Sequence, residues 1–452
     1  LSKKIQKPKS KNQNPKISPA RLAAFEILLK IERERAFSSV LLPIYEEKLA
    51  LADRALCHEI TLGVLRKQIY LDRIIQEFAG NKKLDREIKI ILRIGLYQLL
   101  FLDKIPDYSA INESVNLAQT AKKTSAKGFI NAILRRATRE KPELRFADEM
   151  ERVSVENSHP RWLVEKWASD FGAEDAEKLA AENNRLPRIA FRFTRKFEEA
   201  DENIKKEISA KINEKYAKSV YVENCFLAEK FDADLLDLAG KDFIYFQDEG
   251  SQMVGQTVKL KPGERFLDVC AAPGSKTTQI AEKNPTNENL IVGGDVHFQR
   301  VEFLKENCRR QAVDFANVLQ YDAEKALPFA DESFDSVLLD APCSGTGTIN
   351  HNPEIRYFLE QNDFTELSGK QLKILENASK LIRQGGKLIY STCSLEKEEN
   401  EAVCARFAAN NPHFRLIEND RIDKFATEEG FTRTFPQRDK MDGFFIAVFE
   451  RK

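Results

Sequence analysis

Cysteine is sparse in these 452 residues, and the seven present stand apart. Cys57, Cys225, Cys270, Cys308, Cys343, Cys393 and Cys404 form no CxxC pair. An odd, dispersed set argues against a disulfide framework and against a zinc site, so no metal is expected and a reducing, cytoplasmic setting is. Long apolar runs are missing as well. No window approaches 18 consecutive apolar residues, and residues 1–18 lack the apolar core of a secretory signal. A membrane-spanning helix and a secretory leader are therefore not expected. Acid is missing from two stretches: residues 1–18, with six lysines, and Ala121–Arg139, with Lys122, Lys123, Lys127, Arg135, Arg136 and Arg139. The net charge of zero hides an excess of twelve positive charges in the first 140 residues, matched by a negative excess in the rest. A basic front end suits a polyanion such as RNA, although a lysine-rich tail serves solubility equally well.

Residues 1–18 read as a disordered basic arm. Residues 19–145 are helical throughout. Ile88, Ile91, Leu92, Gly95, Leu96 and Leu99 repeat at the spacing of a core-facing helix, and five to seven helices are expected. Pro142 and Pro160 flank a polar connection. Residues 146–245 predict a linker and a small α+β subdomain: Trp162 and Trp167 on a helix as core residues, the alternating run IAFRF at 189–193, a charged helix near 198–216 and a strand near Val220. Residues 246–452 change rhythm. FLDVC, LIVGGD, NVLQYD, DSVLLD and GKLIYS are short apolar runs separated by helical stretches or loops, which predicts a parallel sheet covered on both faces. FFIAVFE at 444–450 is expected to add an edge strand.

Two phosphate-binding signatures are absent from this half. A Walker loop needs glycine where Cys270 and Ser275 stand, and GxGxxG does not occur. The first run instead passes through Cys270-Ala271-Ala272-Pro273-Gly274-Ser275-Lys276, a turn of small residues, into a helix. Small residues let a ligand approach the backbone. Three runs end in or beside an acid: Asp295, Asp322 and Asp340. Asp295 is placed to accept ribose hydroxyls and Asp322 an adenine amine. A ligand with a ribose and no phosphate needs that set, and S-adenosyl-L-methionine fits. Each aspartate alone could be a strand-end cap; the three together favour the cofactor.

DAPCSGTGT at 340–348 and STCS at 391–394 each put a cysteine just past a strand end. Carbon 5 of cytosine is a poor nucleophile. A thiolate added to carbon 6 makes it enamine-like, and a reversible addition of this kind needs a soft, ionisable nucleophile. Asp340 could hold the cytosine edge and stabilise charge on the ring. Enzymes that methylate an exocyclic amine need no cysteine and typically carry an aromatic at the place of Cys343. The remaining cysteines read as small buried hydrophobes, with Cys270 packed at the cofactor turn.

CAAPGSKT, DAPCSGTG with Pro353 and Arg356 beyond it, YSTCSLEKEEN, DGFFIAVF, SHPRWLVEKW and QDEGSQ resemble the RNA cytosine-5 methyltransferase family. LGVLRKQIYLDRII and GFINAILRR in the helical front resemble a NusB-type RNA-binding domain. The resemblance implies three parts: an all-α NusB-like domain, a small α+β subdomain and an α/β Rossmann-like methyltransferase domain. It implies a division of labour that position alone leaves open, with Cys393 as the attacking thiolate and Cys343 assisting product release. It also implies that Cys270 to Lys276, Asp295, Asp322 and Asp340 contact S-adenosyl-L-methionine, that Lys276 faces the target base and that Arg300 steadies the site. The expected partner is 16S ribosomal RNA, naked or in an early assembly intermediate, met by a monomer. Ser275 departs from the family, which usually has glycine there; serine would be strained if the position needs positive φ, and could instead cap the helix. The alternative is an RNA-binding or antitermination factor whose catalytic half has become a scaffold. Retention of Asp340, Cys343 and Cys393 argues against it.

Overall fold

The computed structural model describes residues 17–80, 82–140, 142–283, 288–419 and 423–452. The expected basic arm lies outside the described residues but for Ile17 and Ser18. Among the described residues no helix is long and apolar enough to cross a membrane. Packing divides the chain into one unit of residues up to Asn184 plus His351–Phe358, and a second of Arg185–Asn350 plus Leu359–Lys452.

Among its described residues the first unit holds helices and no strand, which over 19–145 is what the sequence predicts. Its chain enters at Ser18, in extended conformation, with Pro19 opening the helix Pro19–Glu34. Proline fits there because its missing N–H has no partner in a first helical turn. Six further helices lead up to Lys127–Ala137. The stripe predicted around Gly95 lies on Arg86–Phe101, where Ile91, Leu92 and Leu96 are fully buried. Three more helices, Glu149–Glu156, Arg161–Phe171 and Ala173–Glu182, belong to this unit too. Packing therefore changes hands after Asn184, later than the Pro142–Pro160 connection. Trp167 is fully buried, edge-on to His159 at 5.4 Å, whereas Trp162 is half-buried. Residues 351–358 complete the unit. Glu354 accepts from the Ser38 N–H at 2.6 Å, and the buried Arg356 donates to Asn184 Oδ1 at 2.9 Å and to the Asn157, Ser158 and Asn183 carbonyls. Pro353 and Arg356 of the sequence motif thus serve this unit's interior.

The second unit contains two sheets. The smaller is antiparallel, with β1 (Ile189–Phe193), β2 (Ala217–Lys218), β3 (Cys225–Ala228) and β4 (Ile244–Phe246) in the order β2-β3-β1-β4. Phe191, Phe193, Phe197, Phe226 and Leu235 form its core. The expected strand near Val220 is β2, two residues earlier, and the charged helix is Glu202–Lys215.

The larger sheet contains β5 (Arg265–Asp268), β6 (Leu290–Asp295), β7 (Asn317–Gln320), β8 (Phe334–Asp340), β9 (Ile382–Thr392), β10 (Phe414–Ile417), β11 (Thr432–Arg433) and β12 (Phe445–Arg451). Its order is β10-β12-β9-β8-β5-β6-β7, with β11 paired to β12. β7, β6, β5, β8 and β9 are mutually parallel. The central strands are apolar on both faces because helices cover both faces, which is why they read as continuous hydrophobic runs. One expectation is corrected. FFIAVFE forms β12, which is interior: β10 pairs antiparallel with it and takes the edge. The parallel strands deliver Asp268, Asp295, Asp340 and Thr392 to one end of the sheet, where the strand order reverses between β5 and β8. Ligands of open α/β sheets bind at such an end.

Candidate active site

The turn after β5 leads into the helix Ser275–Glu282 through Gly274, whose φ of 106° suits glycine. A Cβ on Gly274 would also stand 2.7 Å from Leu304 Cδ1. Ser275 is the first helical residue and is not among the positive-φ positions. Neither consequence foreseen for it holds: the strain falls on Gly274, and Gly274 is also the N-cap. The helix Phe298–Arg310 holds the turn from outside. Arg300 donates to the Ala272 carbonyl at 2.7 Å and stands 3.4 Å from Asp295, and Asn307 donates to the Pro273 carbonyl at 2.8 Å. Burial, then the charges of Asp268, Asp295 and Asp340, push the Cys270 thiol far above its usual range, so it packs as a neutral side chain.

Asp268, inside FLDVC, is not among the expected site residues, yet it lies at the same strand end. It is 1% exposed; one oxygen accepts from Thr277 Oγ1 at 2.7 Å and the other has no partner. Burial, then the nearby Asp340 and Asp295, push its carboxyl up to about 7, against the hydrogen bond from Thr277. A bare buried carboxylate oxygen among further acids calls for a cation. Asp295 is buried at the end of β6 and accepts from the His297 N–H at 3.2 Å. Asp322 accepts from the Glu324 N–H at 3.0 Å, which pulls its carboxyl below the usual range, and pairs with Lys325 at 3.2 Å. Acids, small-residue turn and orphaned oxygen fit a cationic nucleoside such as S-adenosyl-L-methionine.

β8 and β9 bring the two cysteine motifs together. Cys343 Sγ and Cys393 Sγ are 3.3 Å apart and partly buried. Lys276 Nζ donates to Asp340 Oδ2 at 2.7 Å, and Ser391 Oγ donates to Asp340 Oδ1 at 2.8 Å. Burial opposes the charge on Lys276, but Asp340 and then Cys393 outweigh it, so the ammonium is held above its usual range. The hydrogen bond with Cys393, then burial, pushes the Cys343 thiol well above its usual range. Three loops interlock here. The Gly347 N–H donates to the Cys393 carbonyl and the Gly443 N–H to the Gly347 carbonyl, both at 2.9 Å. A Cβ on Gly347 would lie 2.1 Å from the Gly443 oxygen, so this approach requires glycine.

Arg192 on β1 is the second residue that was missed. It is 3% exposed and donates to Gln247 Oε1 (2.9 Å), Glu282 Oε2 (2.5 Å), Thr278 Oγ1 (2.8 Å), Gln311 Oε1 (3.0 Å) and the Ser275 carbonyl (3.2 Å). It thereby braces the first turn of the helix Ser275–Glu282. A lone arginine within the apolar run IAFRF was the only signal.

Residues 255–450 match the family model described as 16S rRNA methyltransferase RsmB/F, and residues 18–139 match the NusB family. The chain is 33% identical over 448 residues to the probable ribosomal RNA small subunit methyltransferase B of Bacillus subtilis (strain 168), spanning 95% of this chain and 98% of that one. It is 33% identical over 435 residues to ribosomal RNA small subunit methyltransferase B of Pseudomonas putida, spanning 94% and 97%. Among solved structures, PH0851 matches with a TM-score of 0.80 at 26% identity, over 97% of this chain and 100% of that one. A methyltransferase homologue from Pyrococcus horikoshii matches with a TM-score of 0.57 at 26% identity, over 68% and 100%.

Proposed function

Because the chain belongs to the 16S rRNA methyltransferase family RsmB/F, we propose that it methylates carbon 5 of a cytosine in 16S ribosomal RNA, through a covalent bond between Cys393 and carbon 6 of that base. The observation that carries this reading is the pair of thiols 3.3 Å apart beside the Lys276–Asp340 pair. Two cysteines brought together from adjacent strand ends have a use in cytosine C5 chemistry that methylation of an amine or of ribose does not give them.

S-adenosyl-L-methionine, when bound, would supply an electrophilic methyl group. Cys270 to Lys276, Asp295, Asp322 and Asp340 are the residues proposed to hold it, with the free oxygen of Asp268 added to that set. Cys393 is assigned as nucleophile. Its Sγ bonds carbon 6, electron density moves to carbon 5, and carbon 5 takes the methyl group. A water molecule takes the carbon 5 proton, the electron pair of that C–H bond re-forms the C5–C6 double bond, and the C6–S bond breaks to release Cys393 as thiolate. Cys343, kept protonated by its surroundings, can donate to Cys393 Sγ in the resting site and protonate the departing thiolate at release. Lys276 places a positive charge beside Cys393, and Asp340 orients that ammonium while offering a carboxylate to the base edge.

The functional division proposed is RNA binding by residues 19–145, a connecting subdomain over 146–245 and catalysis by 246–452. Lys122, Arg135, Arg136 and Arg139 are exposed on the first unit, as phosphate contacts need. The target base has to leave its stack, which an unpaired loop makes cheaper. The protein is proposed to act as a monomer in the cytoplasm, where ribosomal RNA is its substrate.

The test uses 16S RNA from cells lacking the modification, incubated with protein and S-adenosyl-L-methionine and mapped by bisulfite sequencing. One modified cytosine is the expected result. No 5-methylcytosine in naked RNA or in early assembly intermediates, with cofactor binding intact, would overturn the substrate assignment.

A further inference from the structure

Glu399 lies in the charge run LEKEEN, and its side chain is fully buried. Its carboxylate receives four hydrogen bonds from neutral donors. Oε1 accepts from Ser344 Oγ at 2.5 Å and from Ser394 Oγ at 2.7 Å; Oε2 accepts from the Ser344 N–H and from Gln371 Nε2, both at 2.9 Å. Ser344 directly succeeds Cys343, and Ser394 directly succeeds Cys393. One carboxylate therefore spans both cysteine loops. Gln371 Nε2 also donates to the Pro342 carbonyl at 2.9 Å, so the residues on both sides of Cys343 are tied to the same pair of side chains. The next residue, Asn400, does the corresponding job for Cys393. It accepts from Thr392 Oγ1 at 2.6 Å and donates to the Ser394 carbonyl at 2.8 Å. Tyr390 Oη fixes the backbone of the bracket by donating to the Glu399 carbonyl at 2.6 Å.

We propose that Glu399 is a positioning residue that sets the spacing of Cys343 and Cys393, and so acts on the step that needs both thiols, breakdown of the covalent adduct. Burying a carboxylate is costly, and a site that only needed filling would take an apolar side chain. A carboxylate is suited here because it accepts from both serines and from the Ser344 backbone at once. Adduct formation uses Cys393 alone, and the Cys393 loop has a second support in Asn400 besides Glu399. Release requires Cys343 at hydrogen-bond distance from Cys393, and that distance is what Glu399 maintains.

Resting on the two-cysteine reading above, the test compares wild type with Glu399→Gln, Ser344→Ala and Cys343→Ala. Each is mixed with 16S RNA and S-adenosyl-L-methionine and quenched in denaturant; covalent protein–RNA complex and 5-methylcytosine product are then quantified. The readout is the ratio of adduct to product, which does not depend on the folded fraction. Misplacing a reacting group by about 1 Å costs up to roughly a hundredfold in rate, so a rise of about tenfold or more is expected for Glu399→Gln, with a smaller rise for Ser344→Ala. Ser344→Ala removes one arm only and carries the test if Glu399→Gln does not fold. Wild-type ratios in both, with Cys343→Ala accumulating adduct, would overturn the role of Glu399 alone. A wild-type ratio in Cys343→Ala would overturn the two-cysteine reading, and this inference with it.

Discussion

Asp268 keeps one carboxylate oxygen on Thr277 Oγ1 at 2.7 Å and the other bare inside the protein, at the strand end facing Asp295 and Asp340. Its carboxyl is pushed up to about 7 by burial and then by those acids, against an ordinary value of 3.8. The folded state thus retains a proton that the unfolded chain has released across that interval. The contribution of Asp268 to stability is therefore full below about 4 and is lost as pH rises towards 7. Cofactor binding has the opposite slope, because a sulfonium and an ammonium favour the ionised form. Calorimetry should show S-adenosyl-L-methionine affinity rising by up to about tenfold from pH 6 to pH 8, with proton release. Asp268→Asn should bind more weakly and lose this dependence. A wild-type affinity flat across this range would show that the bare oxygen does not meet the cofactor.

The 3.3 Å between Cys343 and Cys393 implies two different failures when either is removed. Cys393→Ala should give neither covalent complex nor 5-methylcytosine. Cys343→Ala should form the complex and break it down slowly, so that a protein–RNA band survives denaturing electrophoresis. Full activity of both variants would remove the covalent mechanism; the band appearing in Cys393→Ala instead would exchange the two roles.

Much of this arrangement is legible in the sequence, for a physical reason. Strands buried on both faces must be apolar at every position, so FLDVC, LIVGGD, DSVLLD and GKLIYS announce β5, β6, β8 and β9, and the acids and cysteines at their ends announce the site. What stays hidden depends on pairing across the chain. FFIAVFE reads as an edge strand, and only the antiparallel partner FRLI, with Arg415 donating to Glu450 at 2.8 Å, makes it interior. Arg192 is 83 residues away from Ser275, whose carbonyl it holds. Nothing in LEKEEN tells that the Glu399 carboxylate spans both cysteine loops, since its donors Ser344 and Gln371 are 55 and 28 residues away along the chain.

Arg192 should matter to stability more than its place in a small subdomain suggests. Its partner Glu282 is pushed up to about 7 by burial even with the arginine present. Arg192→Met would take the guanidinium from that partly buried carboxyl, which keeps Lys283 as a cationic neighbour, at a cost of about 1–3 kcal/mol where Glu282 is ionised. Below pH 7 Glu282 can hold a proton, so the penalty should be smaller at pH 6 than at pH 8. Urea denaturation of wild type and variant at both pH values measures the difference. An equal loss at both would mean that the arginine acts through packing and neutral hydrogen bonds, not through Glu282.

Ser275, where the family resemblance leads one to expect glycine, sits in the first helical turn, and the left-handed backbone is borne by Gly274 at φ 106°. Ser275→Gly should therefore leave S-adenosyl-L-methionine affinity within about twofold of wild type and lower stability slightly, since glycine in a helix costs up to about 1 kcal/mol. Gly274→Ser should behave very differently. It forces a side chain into a backbone conformation costing about 1–2 kcal/mol and places its Cβ 2.7 Å from Leu304 Cδ1, within the loop that Arg300 and Asn307 hold closed. Loss of cofactor binding in Gly274→Ser, with Ser275→Gly unaffected, is the result expected from titrating both variants by calorimetry. Tighter binding in Ser275→Gly by about tenfold would show instead that serine weakens the turn, and that glycine is favoured here for more than its backbone angle.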